Sequence, residues 1–298
     1  MKDADMKFSG SFHCFDEYFL HPGYETSIKI RQTWDQEPQG FDREALVKVP
    51  PTSAGQKWPV VIDLHGAGGA ANLRRLRDIS DAFVIVAASG YNRFWNVYSE
   101  KSKADDVDFL LKLIQKVGED IPEADLTDVT IVGTSNGAGM IYRLLIETKN
   151  PRPFKRVIPL VSSLINIQYH DNSFWLEDKR TKQWNIPTVP DKPGPKIIHF
   201  HGTEDGTVPY LGGGGNFLGE EVDFLDAQNS DFVWAKSFGY TGAKLADSAG
   251  TEVATGVEKY EYLGGQVVHF KMVGMAHGAL GSQYKQFIMN TIRAAAYQ

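Results

Sequence analysis

The stretch DVTIVGTSNGAGMIYRLLIETK, residues 128–149, decides how the chain folds. Its opening, 128–135, is rich in Val and Ile and reads as a strand. The remainder, 136–149, carries apolar residues at helical spacing. At the junction, Gly133, Ser135 and Gly137 form a G-x-S-x-G pattern. A serine at such a strand-to-helix junction sits on a sharp bend with strained backbone angles. Its hydroxyl is pushed out above the sheet, and the helix N-terminus lies below it. The flanking glycines remove side chains that would clash with the neighbouring strand and helix. The bare pattern arises by chance in roughly one chain in ten of this length. Its weight therefore comes from the strand before it and the helix after it. The competing reading is a glycine-rich turn that merely packs tightly.

Working outward, short Val/Ile runs alternate with helical patterns. WPVVIDLHG (58–66), AFVIVAASG (82–90), RVIPLVSS (156–163), KIIHFHG (196–202) and GQVVHFKMVG (265–274) read as core strands. ADDVDFLLKLIQKVG (104–118) and SQYKQFIMNTIRAAAY (282–297) have helical periodicity, and Asp105 or Asp106 can cap the first of them. This alternation predicts an α/β fold with a mostly parallel central sheet and helices on both faces. TSIKIRQTW (26–34) and REALVKVP (43–50) alternate apolar and polar residues and predict an antiparallel hairpin at the sheet's N-terminal edge. Residues 164–195 are polar and aromatic and break the rhythm, so they are a lid or pocket wall, or else a surface excursion with its own small cluster. With no internal repeat and no clear linker, one domain over 1–298 is the simplest organisation.

A serine hydroxyl is a poor nucleophile unless a base takes its proton. On this scaffold the partners follow in the order serine, acid, histidine. Asp205, in HGTEDGTVPY after the strand 196–202, is the expected acid, with Glu204 beside it as the alternative. His277, in GMAHGAL after the strand 265–274, is the expected base. His269 is mid-strand and reads as a core or surface residue, and His170 as a solvated one. His199 and His201 share a strand face and resemble metal ligands, but no acid or cysteine cluster completes a site. The oxyanion of a tetrahedral intermediate needs donors. One is the backbone N–H of Asn136; the other comes from the loop Leu64-His65-Gly66-Ala67-Gly68-Gly69, with Ala67 first and Gly66 next. That loop lacks the Lys-Ser/Thr ending and glycine spacing of phosphate cradles.

Composition narrows the field. The chain has 298 residues and a formal net charge of −6, which argues against nucleic-acid binding. Cys14 is the only cysteine, so no intrachain disulfide can form. No apolar run is long enough to span a bilayer. The opening MKDADMKFSGSF lacks the apolar core of a signal peptide. That fits a cytosolic chain and also a secreted one already trimmed of its leader.

Taken together, LHGAGG, FWN (94–96), DDVDFL (105–110), GTSNGAGMIYRL, HGTEDGTVPY and the G-x-x-H before the final helix resemble the polyhydroxybutyrate depolymerase and feruloyl esterase family of α/β hydrolases. These pieces span most of residues 60–280. The resemblance implies an α/β-hydrolase fold, with Ser135, Asp205 and His277 as nucleophile, acid and base. It implies Ala67 and Asn136 as oxyanion donors and suggests Trp95 in the substrate cleft, the alternative being a core or surface tryptophan. Asp106 looks like a helix-start residue. GMAHGAL departs from relatives that carry a glycine before the histidine and Trp-Pro after it, and HGAGG departs from those with a cysteine after HG. The expected activity is hydrolysis of short-chain acyl or aryl (feruloyl-like) esters through an acyl-enzyme, with no metal or organic cofactor. The alternatives are a polyhydroxyalkanoate depolymerase, a serine peptidase on the same fold, or a non-catalytic binding protein.

Overall fold

The computed structural model describes residues 21–98, 101–217 and 220–296. Cys14 and the opening MKDADMKFSGSF lie outside the described residues. In chain order the elements are β1 (Tyr24–Trp34), β2 (Glu37–Val49), β3 (Trp58–Leu64), β4 (Val84–Ala88), α1 (Asp106–Asp120), β5 (Ala124–Thr134), α2 (Asn136–Glu147), β6 (Arg156–Leu160), β7 (Tyr169–His170), β8 (Ser173–Glu177), β9 (Trp184–Thr188), β10 (Lys196–Gly202), β11 (Gly213–Phe217), β12 (Glu220–Phe224), α3 (Ala227–Ser237), β13 (Thr251–Ala254), β14 (Val257–Tyr262), β15 (Val267–Met272) and α4 (Lys285–Ala295).

Ten strands form one sheet in the order β1-β2-β4-β3-β5-β6-β10-β15-β14-β13. The run from β4 to β15 is parallel throughout. The β1–β2 hairpin joins antiparallel at one edge, as its alternating pattern predicts, and β14 and β13 do so at the other. Successive side chains of a strand point to opposite faces, and the core divides accordingly. Val60, Ile62 and Leu64 pack on one side with residues of α1, α2 and α3. Val61 packs on the other with Ile288, Met289 and Ile292 of α4. The parallel strands are apolar on both faces because helices cover both. No helix among the described residues is long and apolar enough to cross a membrane.

Asp105 caps α1 by accepting from the Asp108 N–H. Asp106 does more than start the helix. Its side chain is fully buried, accepts from Arg43 Nη2 at 2.5 Å, and accepts from the Asn96 N–H at 2.6 Å. Arg43 is equally buried and lies over the Phe109 ring. The pair therefore ties the edge hairpin to α1 and to the loop after β4. Removing one partner of a buried ion pair strands the other charge in a low dielectric. Asp106→Ala should lower unfolding free energy by about 3–5 kcal/mol. Asp105→Ala removes a cap and a largely exposed ion pair with Lys179 and should cost about 1 kcal/mol. Equal small losses in a denaturant titration of the two variants would refute the anchoring role.

Residues 164–195 contain a small antiparallel sheet, β7-β8-β9. It is held to α2, where Arg143 donates to Glu177 and its guanidinium lies over the Trp184 ring. Phe174 packs against Trp234 of α3.

Candidate active site

Ser135 follows β5 directly and precedes α2, with φ 54° and ψ −116°. That sparsely populated conformation is held from both sides. The Ser135 N–H donates to the Leu160 carbonyl of β6, and the Ser135 carbonyl accepts from the N–H groups of Ala138 and Gly139. The turn needs its glycines. A Cβ on Gly137 would collide with the backbone of Leu64 and His65, and one on Gly133 with the backbone of Gly137.

Three strand ends converge here. His277 follows β15 and places Nε2 2.8 Å from Ser135 Oγ. Its Nδ1 lies 2.8 Å from Asp205 Oδ2 and 3.0 Å from Oδ1. A carboxylate only accepts, so Nδ1 carries the proton and Nε2 is left with a lone pair facing the hydroxyl. Asp205 follows β10, and its side chain is fully buried. Oδ1 accepts from the N–H groups of Thr207 and Val208, each at 2.9 Å. Burial opposes the charge on this carboxylate. Hydrogen bonding from His201 and His277 and from the Val208 N–H outweighs that, so its pKa is held well below the ordinary carboxylate value. Glu204, the alternative acid, is exposed.

The loop after β3 supplies the next element. His65 Nε2 accepts from the Gly90 N–H at 3.0 Å, so the ring proton is on Nδ1, 2.7 Å from the Gly66 carbonyl. Burial lowers the His65 pKa and keeps the ring neutral. The Gly66 carbonyl also accepts from Gly69 N–H. In a trans peptide the C=O and the following N–H point opposite ways. With the Gly66 carbonyl turned inward to His65, the N–H of Ala67 is turned outward, and Ala67 lines the cleft beside Ser135. The N–H of Asn136 lies in the first turn of α2, where no intrahelical acceptor exists. The Asn136 side chain is occupied elsewhere: Oδ1 accepts from Trp95 N–H at 2.7 Å, and Nδ2 donates to Trp95 O at 3.2 Å.

Trp95 is a correction to the cleft expectation. It is fully buried, stacks on Phe109, and donates from Nε1 to the His65 carbonyl at 2.9 Å. It supports the loop from beneath and does not face the cleft. Which side of the loop the indole takes is not written in FWN, because no periodicity extends through it.

The reading of His199 and His201 also changes. The structure supplies an acid that the sequence did not reveal, Asp231 of α3. Asp231 Oδ2 lies 2.7 Å from His199 Nδ1 and 2.8 Å from His269 Nδ1, all three side chains being fully buried. These are hydrogen-bond distances. Tyr210 Oη completes the network at 2.8 Å from His269 Nε2. His170 is exposed and stacks on Trp175.

Ser135 stands between two cavities. An open cleft of roughly 800 Å³ is lined by the loop after β3, Arg75, Arg93, Thr207 and His277. Behind Asn136 a much smaller pocket, roughly 10 Å³, is walled by Val97, Tyr98, Ile165, Val222 and Phe224 together with Ser163 and Gln168. Residues 164–195 thus contribute Ile165 and Gln168 to the smaller pocket, while β7–β9 lie away from it.

With this geometry in hand, the backbone can be set against solved structures. It is similar to a fungal esterase from Rhizomucor miehei (16% identity, 93% of this chain and 85% of that one, TM-score 0.52). It is similar also to an S-formylglutathione hydrolase from Agrobacterium tumefaciens (13% identity, 95% and 98% covered, TM-score 0.52). A third is an acylaminoacyl peptidase from Pyrococcus horikoshii (14% identity, 91% and 40% covered, TM-score 0.55). The chain has the α/β-hydrolase fold, and its structural neighbours are esterases and other hydrolases. No family model matches the sequence, and no curated protein matches it.

Proposed function

We propose that the protein is a serine carboxylic ester hydrolase acting on short-chain acyl esters. One observation carries the reading: an unbroken chain of 2.8 Å contacts from Ser135 Oγ through the His277 ring to Asp205. Ser135 Oγ attacks the ester carbonyl while its proton passes to His277 Nε2, and Asp205 stabilises the imidazolium. The N–H groups of Ala67 and Asn136 receive the oxyanion. The C–O bond to the alcohol breaks, and His277 returns the proton to the departing alkoxide. Water, deprotonated by the same imidazole, then releases the acid from the acyl-enzyme.

The two cavities support a reading of how the two halves of the substrate lie. The alcohol must leave on the side of the proton donor, and His277 lines only the large cleft. The acyl group therefore enters the smaller pocket, which has room for about one water-sized group. This favours a formyl- or acetyl-sized acyl group over a feruloyl one. A second reading is a short hydroxyacyl ester, the unit of a polyhydroxyalkanoate. Its support is specific: the Gln168 amide and Ser163 Oγ are buried in that pocket without hydrogen-bond partners among the described residues, and an acyl hydroxyl would pair with them.

The test is an acyl-length series of nitrophenyl esters, with a 3-hydroxybutyryl ester, methyl ferulate and a peptide anilide alongside. We expect kcat/KM to peak at the acetyl ester and to fall by about tenfold or more by the octanoyl ester, since the pocket cannot take the extra methylenes. Faster cleavage of the anilide would point to a peptidase. Failure of a fluorophosphonate to label the protein would point to a binding module.

A further inference from the structure

The large cleft has a charge of its own, and it is opposite to that of the molecule. The chain carries a net −6, yet the cleft beside Ser135 is lined by two guanidinium groups and by no carboxylate among the described residues. Two acids beneath the cleft are withdrawn from it. Asp63 is buried and bound to Arg75, and Asp205 is buried beneath His277.

Arg75 is a fixed donor. Its Nε donates to Asp63 Oδ2 at 2.7 Å, and its Nη2 donates to Asp63 Oδ1 and, at 2.7 Å, to Thr134 Oγ1. Thr134 precedes the nucleophile, so the guanidinium is tied to the turn that carries Ser135. Nη1 has no protein partner among the described residues, and the side chain is 23% exposed. Arg93 is a free donor. It has no hydrogen-bond or ion-pair partner for its side chain among the described residues, and it lines the same cleft. It is presented on a tight turn, with Asn92 at φ 49° and Arg93 at φ 70°. That region suits glycine and asparagine and is uncommon for a long side chain. The turn is held to the oxyanion loop, where the Gly68 N–H donates to the Arg93 carbonyl at 2.9 Å. An unpaired arginine kept in an unfavourable backbone conformation at the mouth of a reactive site calls for a ligand.

We infer that the substrate is an ester whose alcohol portion carries an anion, a carboxylate or a phosphate, received by Arg93 and Arg75. The inference rests on the esterase reading above, and on the cleft being the side from which the alcohol departs. Planar guanidinium groups with free N–H donors match both anions.

The test compares 4-acetoxybenzoate, its neutral methyl ester and 4-acetoxyphenyl phosphate in the wild type and in Arg93→Asn, Arg93→Lys and Arg93→Glu. Asparagine tolerates the left-handed backbone, so Arg93→Asn removes charge without straining the turn. For each substrate the wild-type to variant ratio of kcat/KM cancels the intrinsic reactivity of the leaving group. We expect Arg93→Asn to depress the two anionic esters about tenfold more than the neutral one, Arg93→Lys to retain most of the difference, and Arg93→Glu to exceed it. Raising salt to about 0.5 M should shrink the difference, because Arg93 is exposed. The anion with the larger Arg93 effect identifies the source. Equal factors for charged and neutral esters would overturn the inference and leave the esterase reading standing. No turnover of any of the three by the wild type would overturn the esterase reading itself.

Discussion

Ser135→Ala should abolish ester hydrolysis, with kcat falling by about 10⁶-fold, while the melting temperature stays close to that of the wild type. The two halves of this expectation come from different bonds. The hydroxyl makes a hydrogen bond to His277 Nε2 and takes no part in holding the turn. The turn is held by the backbone bonds to Leu160, Ala138 and Gly139 and by the close passage of Gly133 and Gly137. Alanine keeps those bonds. Covalent labelling by a fluorophosphonate should vanish with the activity. Retained turnover in Ser135→Ala, after contaminating esterases are excluded, would mean that another residue is the nucleophile.

Asp205→Asn should lower kcat by about 10⁴-fold. The N–H groups of Thr207 and Val208 both need an acceptor at the position of Oδ1. The asparagine carbonyl has to take that place, which turns its NH₂ toward His277 Nδ1. An NH₂ can only donate. His277 must then accept at Nδ1 and carry its proton on Nε2, where it cannot receive one from Ser135. Glu204→Gln, one residue away and exposed, is the control and should leave kcat within a factor of about two. If Glu204→Gln were the damaging change, the acid would have been assigned wrongly. The same carboxylate also links stability to pH. Its folded pKa lies below the unfolded value near 4, so its contribution is complete above that value and is lost as pH falls through the folded one. The stability gap between wild type and Asp205→Asn should therefore narrow below about pH 4.

What could be read in advance follows a physical division. Strands buried on both faces are written as Val/Ile runs, so β3, β4, β5, β6, β10 and β15 were legible, and so was the turn at Ser135. Because this scaffold sets the chain order of the partners, position alone narrowed the base to His277 and the acid to Glu204 or Asp205. α3 was not legible. It turns Gln228, Ser230 and Asp231 into the interior, and so it lacks the apolar stripe by which a helix announces itself. Asp231 was missed with it, and the histidines at 199 and 269 looked unaccompanied. Trp95 was misplaced for another reason. An indole's preference for burial cannot say whether it faces ligand or core, and here a carbonyl of the loop above captured its N–H. Arg75 and Arg93 were passed over because an arginine after a glycine-rich loop reads as solvated surface until the carboxylates around it are seen to be spoken for.

The imidazole and the hydroxyl it serves are separated by 142 residues of chain. No fragment ending before β15 can hold both, however much native helix it contains. The serine turn and its acid both precede the imidazole in the chain, so the constellation is incomplete until the last parallel strand docks beside β10. The pairing of hydroxyl and imidazole is thereby tied to long-range assembly: it exists only once β15 has taken its place in the sheet.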